Sequence, residues 1–274
     1  MNLHEYLDAA VDAARAAGLI MRSKAGRTSF GEKGWADLVT ETDVACQREI
    51  TRILLDRFPE TWIVGEEAVP GTRFLPESRC GSQASPDRPL TWIVDPIDGT
   101  TNFVHGVPMF GPSIGLARGN DLLCGVFFNP CADELFTAVK GEGAYLNGET
   151  IRTSGVTRLD RALATVSFPT RTLFDSPDYL AFQEMVRSCQ AIRRSGSTAL
   201  NLAYLAAGRF DVLSCQNAHA WDSAAGVILV RESGGVISAP DGSEVDLAHA
   251  GVIAAATPEL YRVFRQAISR RSVQ

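Results

Sequence analysis

The segment Trp92–Asn102, W-I-V-D-P-I-D-G-T-T-N, constrains the fold of this chain more than any other. An almost unbroken apolar run, Leu90–Val94, predicts a buried strand that leads directly into Asp95. Pro96 lacks a backbone donor and fixes φ, so we expect the strand to end there and a tight turn to follow. The carboxylates of Asp95 and Asp98 would then lie within a few ångströms of each other.

Two carboxylates held that close cannot both stay ionised without help. At a separation of about 4 Å and an effective dielectric of about 20 they repel by about 4 kcal/mol. A divalent cation between them reverses the sign, and all-oxygen ligands favour Mg²⁺ or Mn²⁺ over zinc. The following Gly99-Thr100-Thr101 would open a turn or short helix whose N–H groups suit a phosphate. A plain turn with Thr100 as a cap is the alternative interpretation.

Three further segments carry polar groups beside expected element ends. Asp222, in W-D-S-A-A-G, precedes small residues that would let a helix start pack close to a sheet, and it suits either an N-cap or a metal ligand. Glu66-Glu67 follows a short strand and is either a solvated pair or a ligand source. Gly196-Ser197-Thr198 precedes a helix and offers either a plain cap or donors for a polar substrate. His219 is interpreted as a structural histidine.

Hydrophobic periodicity predicts alternating strands and helices along the chain. Helices are expected at 3–24, 44–58, 179–188, 198–207, 222–233 and 259–269, and strands at 62–64, 90–94, 113–117, 122–129, 134–139, 162–167, 210–213, 236–239 and 252–255. Residues 25–37, with three glycines, are expected to form a loop, and residues 68–89, with four prolines, an irregular surface excursion. The pattern predicts layers of helix and sheet, with an α+β half at 1–150 and an α/β half at 151–274.

Composition and charge exclude several classes of protein. The formal net charge of -6 disfavours sequence-independent binding to nucleic acid or to an anionic membrane. No stretch approaches the roughly 18 apolar residues that span a bilayer. Met1–Arg15 lacks a basic flank followed by an apolar run, so no signal peptide is predicted. The six cysteines include no C-x-x-C pair, which favours reduced thiols in a cytoplasmic protein without structural zinc.

The segments G-E-E, D-P-I-D-G-T-T-N and W-D-S-A-A-G occur in an order that resembles the inositol monophosphatase family of Mg²⁺-dependent phosphomonoesterases. The resemblance covers nearly the whole chain. It implies a fold of the α+β or α/β class, a layered α-β-α-β-α sandwich of the inositol monophosphatase and fructose-1,6-bisphosphatase type. It also implies a lithium-sensitive homodimer that uses two or three Mg²⁺ ions, with Mn²⁺ as a possible substitute, to hydrolyse a small phosphorylated metabolite.

The same resemblance implies roles for individual residues. Oxygen ligands for the metals would come from Glu66, Asp95, Ile97 (through its backbone carbonyl), Asp98 and Asp222. The residues expected to act in catalysis, two of them by orienting the attacking water, are Glu66, Asp43 and Thr100. Contacts to the phosphate or to the alcohol are expected from Asp98, Gly99, Thr100, Gly196, Ser197, Thr198, Cys215 and Asp222. The implied mechanism is an in-line displacement by a metal-activated water, most directly on inositol 1-phosphate.

Cys215 departs from the pattern of the family. Inositol-hydrolysing members carry a glutamate there that hydrogen-bonds the ring hydroxyls, and a thiol is a poor hydrogen-bond partner. Histidinol phosphate, a sugar or glycerol phosphate, and a nucleotide-derived bisphosphate therefore remain alternative substrates. The pair Arg193-Arg194 either lines the substrate site or is solvated, and the sequence leaves both open.

Two alternatives differ in chemistry or in class. A haloacid-dehalogenase-type phosphatase also carries D-x-D-G-T after a strand and forms an aspartyl phosphate, but its aspartates are separated by one residue. Here Pro96 and Ile97 both intervene. A non-catalytic regulator with the same fold, binding a protein or RNA-processing partner, would not need the converging carboxylates of the metal set.

Overall fold

The computed structural model describes residues 1–27, 30–34, 37–80, 88–169 and 172–269. The helices are α1 (Leu3–Lys24), α2 (Glu41–Arg57), α3 (Thr100–His105), α4 (Pro177–Ser188), α5 (Thr198–Ala206), α6 (Ala220–Glu232) and α7 (Pro258–Ser269). The first strands are β1 (Phe30–Gly34), β2 (Asp37–Thr40), β3 (Trp62–Gly65), β4 (Leu90–Asp98), β5 (Gly111–Arg118), β6 (Asp121–Asn129) and β7 (Glu134–Val139). The remaining strands are β8 (Gly143–Leu146), β9 (Glu149–Ile151), β10 (Leu163–Val166), β11 (Ala191–Arg193), β12 (Val212–Cys215), β13 (Val236–Ser238) and β14 (Val252–Ala255).

Two mixed sheets form the frame of the molecule. The larger sheet has seven strands in chain order, β3 to β9. Its β3–β4 pair is parallel and every following pair is antiparallel. The smaller sheet has the order β11-β10-β12-β14-β13, in which β10 runs parallel to both of its neighbours and β14 antiparallel to both of its own. Each sheet therefore has two faces that must be covered.

Helices cover these faces in layers. α1 and α2 bury one face of the larger sheet in a core that includes Trp92. α5 and α6 lie between the two sheets, where Val227 is fully buried. α4 and α7 cover the outer face of the smaller sheet around Phe264. The α-β-α-β-α sandwich expected from the sequence is thereby confirmed. Within the described ranges, no helix is long and apolar enough to cross a membrane.

Small residues let α6 approach the larger sheet closely. A Cβ added at Gly115 would lie 3.0 Å from the Cβ of Ala224, and one added at Gly125 would lie 2.6 Å from Cγ2 of Ile228. These two strand positions have room only for glycine because the helix occupies the space above them. The close contact brings the first turn of α6, which carries Asp222, to the same end of the sheet as the aspartates of β4.

The expectation that the strand ends at Pro96 was wrong, because β4 continues to Asp98. Asp95 pairs with Ser113 and Asp98 with Gly111, so β4 advances by three residues where β5 advances by two. This β-bulge leaves the residues between the aspartates outside the regular ladder. The missing N–H of Pro96 therefore removes no ladder hydrogen bond.

The expectation of a loop over residues 25–37 was wrong in part. Strands β1 and β2 pair antiparallel there, and α2 begins directly after β2 with Thr40 as its N-cap. Hydrophobic alternation did not indicate these strands, because their glycine-rich sequence has no period of two.

The excursion at 68–89 is irregular as expected in its described part, with one bridge between Ile63 and Phe74 and a short 3₁₀ turn at Glu77–Arg79. Pro86, one of its four prolines, lies outside the described residues.

Substitution of Gly125 by alanine tests the close contact of α6 with the sheet. The added methyl group meets Ile228, so we expect the free energy of unfolding to fall by about 1–3 kcal/mol in chemical denaturation. Gly155→Ala is the matched control, since its added Cβ has no neighbour within 4 Å. Equal stability of the two variants would contradict the proposed tight packing.

Candidate active site

Three aspartates, two from β4 and one from α6, meet at one end of the larger sheet. One carboxylate oxygen from each of Asp95, Asp98 and Asp222 lies within 4.8 Å of the other two. The bulge in β4 lies between its two aspartates, and the close approach of α6 to Gly115 and Gly125 brings the third to the same place. Asp95 and Asp98 are only 3% and 6% exposed. The convergence that the sequence predicted for these residues is therefore present in the structure.

Burial makes this cluster electrostatically unfavourable in the absence of positive charge. Burial, together with the charges of Glu66 and Asp98, raises the pKa of Asp95 well above its ordinary value. Burial raises the pKa of Asp98 to about 6, although several hydrogen bonds oppose the shift. Burial and the charge of Asp98 raise the pKa of Asp222 to about 7. Each shift reflects the cost of ionising a carboxylate away from water and beside others.

The donor set fits a hard divalent cation. Carboxylate oxygens are the ligands that Mg²⁺ and Mn²⁺ prefer in proteins. Among the side chains that the structure describes, no lysine or arginine forms an ion pair with any of the three aspartates. Cations bound at this position would supply the compensating charge.

A polar cleft of about 340 Å³ contains the whole predicted metal set. Its lining includes Glu66, Asp95, Ile97, Asp98 and Asp222, together with the glycine and threonine that follow the bulge. Glu66 lies just past the end of β3, half-buried, and is not part of the tight three-aspartate cluster. The structure thus brings every predicted metal ligand to one cleft.

The start of α5 holds the carboxylate of Asp98 in place. The Ser197 hydroxyl and the backbone N–H groups of Thr198 (3.1 Å) and Ala199 (2.8 Å) all donate to it. The sequence left open whether Gly196-Ser197-Thr198 is a cap or a source of donors to a substrate. Ser197 is the N-cap of α5, and these donors serve Asp98, whereas Gly196 and Thr198 also line a neighbouring cleft.

Thr100 and Asp43 lie together at the edge of the cluster, as predicted. The Thr100 hydroxyl is 3.3 Å from Oδ1 of Asp43 and 3.0 Å from the carbonyl oxygen of Ile97. The other oxygen of Asp43 accepts from the backbone N–H (2.8 Å) and the hydroxyl (2.6 Å) of Thr40 in the capping box of α2. Burial raises the pKa of Asp43. A hydroxyl has one proton, so Thr100 donates to only one of its two acceptors at a time.

A second cleft of about 430 Å³ adjoins the first and shares His219 and Asp222 with it. Cys215 lines this cleft but is only 2% exposed. Its thiol donates to the carbonyl oxygen of Asn217, with 3.9 Å between Sγ and that oxygen. Burial and the charge of Asp222 raise the pKa of the Cys215 thiol, which keeps it protonated. Arg194 also lines the second cleft, and its side chain is exposed there, so both alternatives that the sequence left open apply to it; Arg193 is exposed and lines neither cleft.

Two residues at the site were missed by the sequence analysis. Glu77 accepts a hydrogen bond from the N–H of Ala220 (2.6 Å) and lies 2.9 Å from Nδ1 of His219, so it satisfies the start of α6. No local pattern in the proline-rich excursion indicated this contact. Asn102 donates to the carbonyl oxygens of Met109 (2.7 Å) and Ser195 (2.8 Å) and so ties α3 to the segment before α5. Its place in D-P-I-D-G-T-T-N was the available signal.

Comparison with known proteins places this chain among the phosphoric monoester hydrolases. The chain matches the model of the inositol monophosphatase family over residues 2–272, and it belongs to that family. It is 40% identical to inositol monophosphatase 3 of Solanum lycopersicum over 98% of both chains. It is also 40% identical to the Nus factor SuhB of Pseudomonas aeruginosa over 93% of both chains.

A solved structure supports the same assignment. The fold is similar to that of the extragenic suppressor protein suhB from Bartonella henselae, with a TM-score of 0.86 and 31% sequence identity. The match covers 97% of this chain and 99% of the other. The family expected from the sequence motifs is confirmed, and so is the enzyme class.

The pKa shifts predict a pH-dependent response to metal. Because the folded-state pKa values of Asp98 and Asp222 exceed the ordinary value, the metal-free folded chain binds more protons than the unfolded chain between about pH 4 and pH 7. Its free energy of unfolding therefore falls as pH rises through that window. Cations compete with these protons, so adding Mg²⁺ to chelator-treated protein should raise the Tm more at about pH 8 than at about pH 5.

Thermal unfolding with and without millimolar Mg²⁺ measures this response, with a potassium salt at equal ionic strength as the control. An equal rise in Tm at both pH values would show that the acidic cluster is not where the cation binds.

Proposed function

We propose that this protein hydrolyses a small phosphate monoester in a Mg²⁺-dependent reaction, with inositol 1-phosphate as the first candidate substrate. The observation that carries the proposal is the trio of buried carboxylates within 4.8 Å of one another, for which the described side chains provide no lysine or arginine partner. Family relatives named as inositol monophosphatases support the choice of substrate. Packing alone would not favour such a cluster, because each aspartate raises the cost of ionising the next.

The chain would hold two or three Mg²⁺ ions through the residues that line the first cleft. Glu66, Asp95 and the carbonyl of Ile97 are proposed for the first ion, and Asp95, Asp98 and Asp222 for the second. Glu66 is also proposed to hold a third, weaker ion. Bound Mg²⁺ would screen the charge of the phosphate and favour an attacking hydroxide and a leaving alkoxide in an in-line displacement.

The protein's own part is to orient the reacting groups. Thr100, held against Asp43, is proposed to position the attacking water through its hydroxyl oxygen. The backbone N–H groups of Gly99 and Thr100 are proposed to donate to the phosphate. Gly99 has φ +92°, a conformation that glycine adopts without strain, and its Cβ-free backbone lies close to the carbonyl oxygen of Met109.

The alcohol of the substrate is proposed to occupy the second cleft. Gly196, Thr198 and Cys215, which line this cleft, are the contacts inferred from the family resemblance. Ser197, predicted with them, is buried and its hydroxyl donates to Asp98, so its proposed part is to hold that carboxylate. The protonated thiol of Cys215 cannot accept strong hydrogen bonds from ring hydroxyls as a carboxylate would. Histidinol phosphate, other sugar or glycerol phosphates, and nucleotide-derived phosphates therefore remain candidate substrates beside inositol 1-phosphate.

We also propose the properties that usually accompany this family. The enzyme would act in the cytoplasm as a homodimer, with inhibition by lithium. Its single unit would consist of an α+β half at 1–150 and an α/β half at 151–274. Nucleic acid and membranes are not expected partners of the catalytic reaction, given the net charge of -6.

A second candidate function is that of a non-catalytic regulator with the same fold. The observation in its favour is the 40% identity to a relative named as a Nus factor. A regulator would need the fold but not the acidic cluster. Phosphate release therefore distinguishes the two candidates.

The variant Asp95→Asn tests the proposed metal site. Loss of the carboxylate proposed to contact two ions should lower Mg²⁺-dependent phosphate release from inositol 1-phosphate by at least about 1,000-fold. Relief of the repulsion among buried carboxylates should at the same time leave the metal-free variant at least as stable as the wild type. Phosphate release and thermal unfolding in chelator are the two measurements.

Asp160→Asn is the matched control, because Asp160 is exposed and forms an ion pair with Arg158 away from both clefts. Wild-type turnover by the Asp95 variant would refute the metal assignment. No turnover of any monoester by the wild type at millimolar Mg²⁺ would favour the regulatory function. A phosphoenzyme trapped on Asp95 in rapid-quench experiments would instead indicate the haloacid-dehalogenase-type mechanism.

The variant Cys215→Glu tests whether position 215 faces the alcohol. A carboxylate there can accept hydrogen bonds from ring hydroxyls, so we expect kcat/KM for inositol 1-phosphate to rise several-fold, by about 1 kcal/mol, relative to glycerol 2-phosphate. Cys215→Ser, of similar size and without charge, is the control. An unchanged preference in a folded Cys215→Glu variant would show that this position does not contact the substrate.

A further inference from the structure

Arg194 is fixed in position at the second cleft. Its Nη2 donates to the carbonyl oxygen of Phe168 at 2.9 Å, and its guanidinium carbon lies 4.5 Å from the centroid of the Phe168 ring. A hydrogen bond and a cation–π contact to one residue together restrict the plane of the guanidinium. Arg194 and Phe168 line the second cleft and not the first.

The side chain of Arg194 is exposed at the second cleft. In the described part of the chain Arg194 forms no ion pair, and the one acidic residue that lines the second cleft is Asp222, which it shares with the first. A guanidinium has five N–H donors, and among the described residues one of those of Arg194 forms a hydrogen bond, to Phe168. The guanidinium of Arg194 therefore has further N–H donors that a ligand in this cleft can use.

A second donor lies in the same cleft. The Ser167 hydroxyl oxygen accepts a hydrogen bond from Nδ2 of Asn201 at 3.1 Å, so its own proton is available for another acceptor. Ser167 lines the cleft with Arg194. The thiol of Cys215, by contrast, is a weak partner for a neutral hydroxyl. Arg194 and Ser167 thus offer two side-chain donors to an anion in this cleft.

We propose that the second cleft binds a second anionic group of the substrate, a carboxylate or a phosphate, through Arg194. The preferred substrate is then a phosphate monoester whose alcohol carries another negative charge. The proposal rests on the phosphatase function proposed above and specifies its substrate class. A guanidinium binds either anion through paired N–H···O bonds, which a neutral hydroxyl cannot form.

Matched ester pairs test this specificity and separate the two sources of charge. Glycerol 2-phosphate and 2-phosphoglycerate differ by exchange of a hydroxymethyl group for a carboxylate. Inositol 1-phosphate and inositol 1,4-bisphosphate differ by a second phosphate. We expect the wild type to prefer the more anionic member of at least one pair by about 10-fold in kcat/KM, the size of one charge-assisted hydrogen bond.

The variant Arg194→Gln should abolish that preference by raising KM for the more anionic ester of the pair. Its kcat, and the turnover of the ester whose alcohol is uncharged, should change less than about 2-fold. Arg194→Lys, which keeps the charge but not the paired geometry, should fall between the two. Arg193→Gln is the matched control, because Arg193 is exposed like Arg194 but donates to the carbonyl oxygen of Ile192 and lines neither cleft. Thermal unfolding of each variant reports any loss of packing against Phe168.

The outcomes distinguish this proposal from the one on which it rests. Two results would overturn the role of Arg194 and leave the phosphatase function intact. In the first, the wild type hydrolyses glycerol 2-phosphate but prefers neither of the more anionic esters. In the second, Arg194→Gln lowers kcat/KM equally for both members of a pair. Preference in the carboxylate pair alone, or in the bisphosphate pair alone, would support the proposal and identify the second anion. Absence of turnover on every ester would overturn both proposals.

Discussion

Repulsion among Asp95, Asp98 and Asp222 is the constraint around which this structure is arranged. Burial raises the pKa of each one, and each raises the cost of ionising its neighbours. A fold that tolerates this arrangement must hold the three side chains in place by other means until cations compensate their charge. Their positions are consequently fixed by backbone elements more than by side-chain partners.

Each of the three aspartates has a carboxylate oxygen that accepts a hydrogen bond from a backbone N–H. Asp95 accepts from the N–H of Ile97 at 2.9 Å within the bulge, and Asp222 accepts from the N–H of His219 at 2.9 Å in the first turn of α6. Asp98 accepts from the start of α5. Such bonds fix the carboxylates before any ligand arrives, which lowers the entropic cost of binding and of ordering a reacting group. The bulge and the two helix starts are therefore part of the active site.

Under the proposed function, the two adjoining clefts would recognise different parts of the substrate. The first is rich in carboxylates and suits cations with the phosphate bound to them. The second contains the guanidinium of Arg194, the hydroxyl of Ser167 and the buried thiol of Cys215. Chains that share the acidic cleft would therefore share chemistry, whereas the second cleft decides which alcohol is accepted, since specificity follows from the groups that contact the differing part of the substrate.

Much of this protein was determined by the sequence alone. Hydrophobic periodicity predicted most helices and central strands, because burial of one face imposes a regular spacing on any such element. The order of D-P-I-D-G-T-T-N and W-D-S-A-A-G identified the family and the acidic residues. Local patterns failed at Pro96, because the bulge places this proline outside the regular ladder, where its missing N–H removes no hydrogen bond. They also failed in β1 and β2, whose glycine-rich strands have no hydrophobic alternation.

Only the tertiary structure decided the long-range contacts. Nothing local indicates that Ser197 and the start of α5 hold Asp98, or that Glu77 satisfies the start of α6, because these partners lie about 100 and 140 residues apart in the chain. The same holds for Arg194, whose neighbours in sequence suit a solvated position equally well. The residue types carry the chemistry, but sheet order and helix packing determine which of them meet, since those depend on burying both faces of two sheets at once.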